Sequence, residues 1–233
     1  MNFNIWQRIA AVCGILFVGL LIASIIVEPA PGPGASNATL RSFYAHHVEA
    51  TSMFAALNVF SACAFLVFLA GLTAILRRAA GEVSVAPTLA LGAGIAWAST
   101  VAVTSSIPAA LASHVAGRGD VASISALNDL YSALTALTTA PLALALLTSS
   151  VVMLATRIVP RWLSFLGLLS GVAVLANTLS VSDRAGAFAG IAFVGLNLSL
   201  VWVLAVSVVL LRRTSHETEP APATSTIHTE AAV

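Results

Sequence analysis

His46, His47, Glu49, His114, Asp120 and Asp129 have the chemistry to hold a metal ion or to move a proton. Imidazole and carboxylate are the usual ligands of zinc and manganese. His46 and Glu49 are three residues apart, so one helical face can present both. The candidate metal set is His46, His47, Glu49, His114 and Asp129, with Glu49 or Asp129 as a general base if the site is catalytic. No His-Glu-x-x-His pattern accompanies them. A second set can only form hydrogen bonds. His47, Thr51 and Asn58 share one helical face, as do Asn128, Ser132, Thr135 and Thr139, and as do Ser99, Ser106 and Ser113 at intervals of seven. Such faces line a polar cavity, or they join helices by hydrogen bonds inside a membrane. The cavity reading takes His47, Thr51, Asn58, Ser99, Ser106, Asn128, Ser132 and Thr135 as ligand-binding residues.

The elements that must position these groups are membrane helices. Of the 233 residues, 59% are hydrophobic and only 8% are charged, against about a quarter charged in a soluble domain. Six stretches approach or exceed the roughly 20 residues a spanning helix needs. They are Ile9–Val27, Met53–Leu76, Pro87–Leu111, Tyr131–Ala155, Trp162–Val181 and Gly186–Leu211, and none contains Asp, Glu, Lys, Arg or His. Backbone polar groups in lipid must be satisfied within the segment, which a helix does. The expected fold is all-α: one polytopic six-helix bundle over residues 1–213, followed by a disordered tail over 214–233. The first helix is too long, and lacks the cleavage site, for a signal peptide, so it reads as an uncleaved anchor.

Arginine sets the orientation. Arg8, Arg77, Arg78, Arg157, Arg161, Arg212 and Arg213 fall on one side of the six segments, and Arg41, Arg118 and Arg184 on the other. The positive-inside rule then places both termini in the cytoplasm of a cell-membrane protein. Trp6 and Trp162 sit at inner boundaries and Tyr44 and Tyr131 near outer ones, as aromatic belts require. All the metal candidates fall on the outer side.

Local signals refine the connections. The prolines after Glu28 end the first helix, and Asn37 is placed to cap a new one running through His46 into the second span. Ser123 is a candidate cap for a fourth span that begins outside the bilayer and carries Asn128 and Asp129. Pro141 should kink that helix, with Thr138 near the freed carbonyl. Gly167/Gly171 and Gly186/Gly190 are small-xxx-small pairs suited to helix packing. Arg8 to Gly14 and Arg161 to Gly167 share a spacing of six, a faint internal echo.

Several function classes are excluded. The ten basic residues are all arginine, so no lysine Schiff base can form. Cys13 and Cys63 form no Cys-x-x-Cys centre. The uncharged spans argue against proton pumping and charge-selective conduction. No basic surface or phosphate-binding loop points to nucleic acid or a nucleotide, and no cofactor is indicated.

Three stretches carry a resemblance. Arg8-Ile-Ala-Ala-Val-Cys-Gly-Ile-Leu-Phe, then Ile158-Val-Pro-Arg-Trp-Leu-Ser-Phe-Leu-Gly-Leu-Leu-Ser-Gly, then Asn197 with Val201-Trp202, resemble a bacterial integral-membrane family catalogued as a domain of unknown function, number 4386. Pro160-Arg161-Trp162-Leu163-Ser164 is the most specific part: proline breaks at the interface, arginine faces phosphates, tryptophan anchors and serine caps. The resemblance implies a six-helix bacterial membrane protein and brings no catalytic residues. The leading functional expectation is a non-enzymatic bundle, in contact with the lipid bilayer, that binds or moves a small neutral or lipid-like ligand through an outward-facing polar cavity. The alternatives are a metal-dependent membrane hydrolase at the outer leaflet and a structural or assembly protein.

Overall fold

The computed structural model describes residues 3–27, 31, 35–81, 84–115, 121–180 and 187–216. Glu28, Arg118, Asp120, Arg184, Gly186 and residues 217–233, to which sequence expectations attach, lie outside these. The elements are α1 (Phe3–Val27), α2 (Asn37–His46), α3 (Val48–Ala80), α4 (Ala86–Ala110) running into a π-turn (Leu111–Val115), α5 (Val121–Thr156), α6 (Arg161–Leu175), α7 (Asn177–Ser180) and α8 (Ala187–His216). Six helical stretches are long and apolar enough to cross a membrane, and the chain is a multi-pass integral membrane protein. At about 1.5 Å per residue, α3 and α5 reach roughly 50 Å, well beyond a hydrocarbon core of about 30 Å. Both are therefore longer than a hydrocarbon core requires.

The spanning helices close into a ring in chain order. α1 packs on α3, α3 on α4, α4 on α5, α5 on α6, α6 on α8, and α8 back on α1. One continuous core runs through all six. Phe17 of α1, Phe65 and Phe68 of α3 and Trp97 of α4 form its aromatic part, with Phe65 and Trp97 edge to face at 4.8 Å and Phe17 and Trp97 at 5.9 Å. Leu146, Met153, Leu163, Trp202 and Val206 fill the rest. Large apolar side chains such as Ile26, Phe60, Leu169 and Phe193 remain exposed around the ring. Water would not tolerate so continuous an apolar surface, whereas lipid does.

Small residues let the helices approach closely. A Cβ at Gly195 would lie 2.7 Å from backbone atoms of Ala173 and Val174 in α6. Ser170 Oγ donates to the Gly195 carbonyl at 3.1 Å across the same contact. Gly190, by contrast, meets open space, so on α8 the glycine pressed against α6 is Gly195. The echo between Arg8 and Arg161 has a structural counterpart. Gly14 is covered by Phe68 of α3 and Ser207 of α8, and Gly167 by Trp202 of α8 and Ser150 of α5. Each glycine thus meets an aromatic ring from one ring neighbour and a serine hydroxyl from the other.

The element boundaries correct several sequence expectations. Ser36, not Asn37, caps α2: its side chain accepts from Thr39 N–H at 3.2 Å. α2 and α3 are separate helices because His47 leaves helical geometry at φ −116°, ψ 34°. Hydrogen bonds nevertheless continue across it, from His47 N–H to Phe43 O and from Thr51 N–H to His47 O. Ser123 lies inside α5 and does not begin it. The Thr138 hydroxyl donates to Leu134 O at 2.7 Å, not to the carbonyl that Pro141 frees. Ser164 is fully buried in α6 and caps nothing; Pro160 stands at that helix's N-cap without a side-chain hydrogen bond. The fifth span, Arg161–Leu179, is interrupted at Ala176, where α6 ends and α7 begins. α8 continues to His216, past the last apolar residues of its span. Arg157 closes α5 in the left-handed region at φ 54°, its N–H bonded to Met153 O.

Candidate functional site

The sequence-derived metal candidates are held on four different elements. His46 and His47 end α2, and each ring Nδ1 donates to a carbonyl four residues back: Ser42 O at 2.7 Å and Phe43 O at 2.9 Å. His47 also stacks on Phe43 at 4.5 Å. Glu49 begins α3, His114 lies in the π-turn and Asp129 is on α5, all exposed. Among the described residues no three His, Cys, Asp or Glu side chains are grouped closely enough to hold a metal ion.

The hydrogen-bonding candidates divide by burial. Thr51, Asn58 and Asn128 are buried, whereas His47, Ser99, Ser106, Ser132 and Thr135 are exposed. Most of them satisfy themselves within their own helix. Thr51 donates to His47 O, Asn58 to Phe54 O, Ser106 to Val103 O, Ser132 to Asn128 O and Thr135 to Tyr131 O, at 2.6–3.0 Å. Ser106 lies in a shallow groove of about 350 Å³ between α3 and α4, beside Val59 and Phe60. Asn128 instead makes a long-range bond, its Oδ1 accepting from Tyr44 at 3.0 Å. Tyr44 is therefore no interfacial anchor. It is 1% exposed and sits with Leu40, Leu111, Ala112 and Ile124 in a second, smaller core. That core fastens α2 over the ends of α4 and α5. Its polar pair is structural: the Tyr44 hydroxyl donates to Asn128 within the protein and ties α2 to α5.

A better-formed space lies at the opposite end, on the arginine-rich side. Trp6 and Gln7 of α1 and Leu66, Val67, Ala70, Gly71 and Ala74 of α3 line a groove of about 480 Å³. Its shape follows from side-chain size. Gly71 is packed against Ala10 so tightly that a Cβ there would overlap the alanine methyl, which brings the two helices together and leaves a furrow beside them. Leu66, Ala70 and Ala74 form one i, i+4 row, and Arg78 is the next residue of that row. The furrow thus runs along apolar wall to the arginine rim. Trp6, 46% exposed, stands at that end. Sequence reading missed this site. Its signal was present in the repeated small residues at 70, 71 and 74 one turn before Arg78, but the α1 side, Trp6 and Gln7, carries no matching repeat. Comparison with protein-family models, curated proteins and solved structures yields no match.

Proposed function

We propose that this protein is a non-catalytic bacterial cell-membrane protein, both termini cytoplasmic, that holds a phospholipid of the inner leaflet in the α1/α3 groove. The observation that carries the reading is the groove itself: apolar walls ending in tryptophan and glutamine, with Arg78 one turn beyond Ala74 along the same helix. From Leu66 to Ala74 it extends about 12 Å along α3, close to the roughly 15 Å half-thickness of a bilayer core. An acyl chain fits beside Ala70 and Ala74, while the headgroup reaches the interface where Trp6, Gln7 and Arg78 lie. Arginine at that level favours an anionic headgroup, and tryptophan favours the ester region. The arginine asymmetry supports the inner leaflet, and the resemblance to a bacterial family supports the source. The test is native mass spectrometry of protein released from membranes in mild detergent. Retained anionic phospholipid is expected, and Ala70→Leu with Ala74→Leu, which fills the groove, should abolish it while the bundle stays folded. Equal lipid retention by the filled variant would refute the reading.

A further inference from the structure

Lipid offers no hydrogen-bonding partner, so a polar atom buried in a membrane bundle must find one inside. Most hydroxyls here do so by donating to a carbonyl of the preceding turn, as Thr148 and Thr156 do to Leu144 O and Val152 O at 2.7 Å. Ser150 and Ser164 do not. Both are fully buried, Trp202 is 1% exposed, and their Oγ and Nε1 atoms have no hydrogen-bond partner among the described residues. These three groups come from α5, α6 and α8, and two of them meet at one point. A Cβ on Gly167 would overlap both Ser150 Oγ and Trp202 Nε1. Ser164 precedes Gly167 by three residues on α6, hence on the same face. A glycine Cα–H is only a weak partner for a hydroxyl. Ser149, Thr73 and Ser207, also buried and unpartnered, lie in the same arginine-rich half of the chain's spans.

The chemistry of the trio defines what it takes. The indole N–H only donates, while each hydroxyl donates and accepts. No ionisable group faces the point from α5, α6 or α8, so the ligand is uncharged. The tight cover over Gly167 requires it to be small. We propose that Ser150, Ser164 and Trp202 bind one ordered water molecule, which accepts from Trp202 Nε1–H and donates to both serine oxygens. Three hydrogen bonds is the usual complement of a buried water. The site joins three helices through solvent, where these three side chains use no backbone carbonyl.

The test uses the full chain in nanodiscs with 15N-tryptophan. The four tryptophans give four indole signals, and Trp202→Phe identifies one of them. The Trp202 indole proton is expected to show a nuclear Overhauser cross-peak to water that Trp97, inside the aromatic cluster, lacks. Ser150→Ala with Ser164→Ala should lower the unfolding midpoint by about 2–4 °C, as for loss of a net hydrogen bond in a chain of this size. Absence of the water cross-peak at Trp202 overturns the proposal. So does a rise in midpoint in the serine variant, the response expected when unsatisfied buried hydroxyls are simply removed.

Discussion

Replacing Gly195 by alanine probes the contact between α6 and α8 with a single methyl group. The new Cβ would stand 2.7 Å from Ala173 C, Ala173 Cβ and Val174 N, where ordinary contact begins at 3.4 Å. Two of those three atoms are backbone, so no rotamer change relieves the overlap, and the helices must separate by about 1 Å. Overpacking of this kind costs about 1–3 kcal/mol. A gap of that size also forfeits a quarter to a half of the dispersion energy between the neighbouring atoms. The Ser170 bond to the Gly195 carbonyl, now 3.1 Å, would stretch past useful length and remove about 1 kcal/mol more. The sum is about 2–4 kcal/mol, or roughly 5–15 °C in unfolding midpoint for a chain of this length. Intrinsic fluorescence is a suitable assay because Trp97 and Trp202 are buried. Gly92→Ala and Gly190→Ala are the controls: both positions meet open space, and alanine's higher helix propensity should leave stability unchanged or raise it by up to about 1 kcal/mol. If Gly195→Ala melted with the controls, the close α6/α8 approach would be wrong.

Other outcomes follow from the same contacts. Tyr44→Phe removes the buried bond to Asn128 and should weaken the second core by about 1–2 kcal/mol; hydrogen exchange across residues 37–46 should accelerate while the spanning helices stay protected. Phe65→Ala takes away a ring that meets Phe17, Phe68 and Trp97, and a loss of about 3–5 kcal/mol is expected in chemical or thermal unfolding. Orientation can be read by cysteine labelling in a chain carrying Cys13→Ala and Cys63→Ala. A cysteine at exposed Ser113 should react with an impermeant maleimide on whole cells and one at exposed Gly81 should not; the reverse pattern would invert the topology.

The membrane spans were legible because a run of twenty apolar residues admits one physical solution in lipid. The breaks at His47 and Ala176 were not. His47 carries no sequence signature of a helix end, and its backbone leaves helical geometry while Phe43 and His47 stack and the hydrogen bonds continue across it. The polar faces were half legible. Seven-residue spacing reads Ser99, Ser106 and Ser113 as one polar face, yet all three are exposed and Ser113 lies in the π-turn. A serine that donates to its own helix can face lipid without an unmet donor, so polarity alone does not force it inward. Gly195 was passed over for Gly190 because both belong to small-residue patterns, and only the neighbouring helix decides which one has something to press against.

The closure of α8 onto α1 has an engineering consequence. Helices that neighbour one another around the ring are joined by the chain at every contact but this one, so α1 and α8 are held together by packing alone. They run antiparallel, which brings Phe3 and His216 to the same end of adjacent helices. A short linker between those ends would make the chain circular, and a cut in any other connection would then create new termini without changing which helix touches which. The ring has a covalent beginning, but its architecture does not require one.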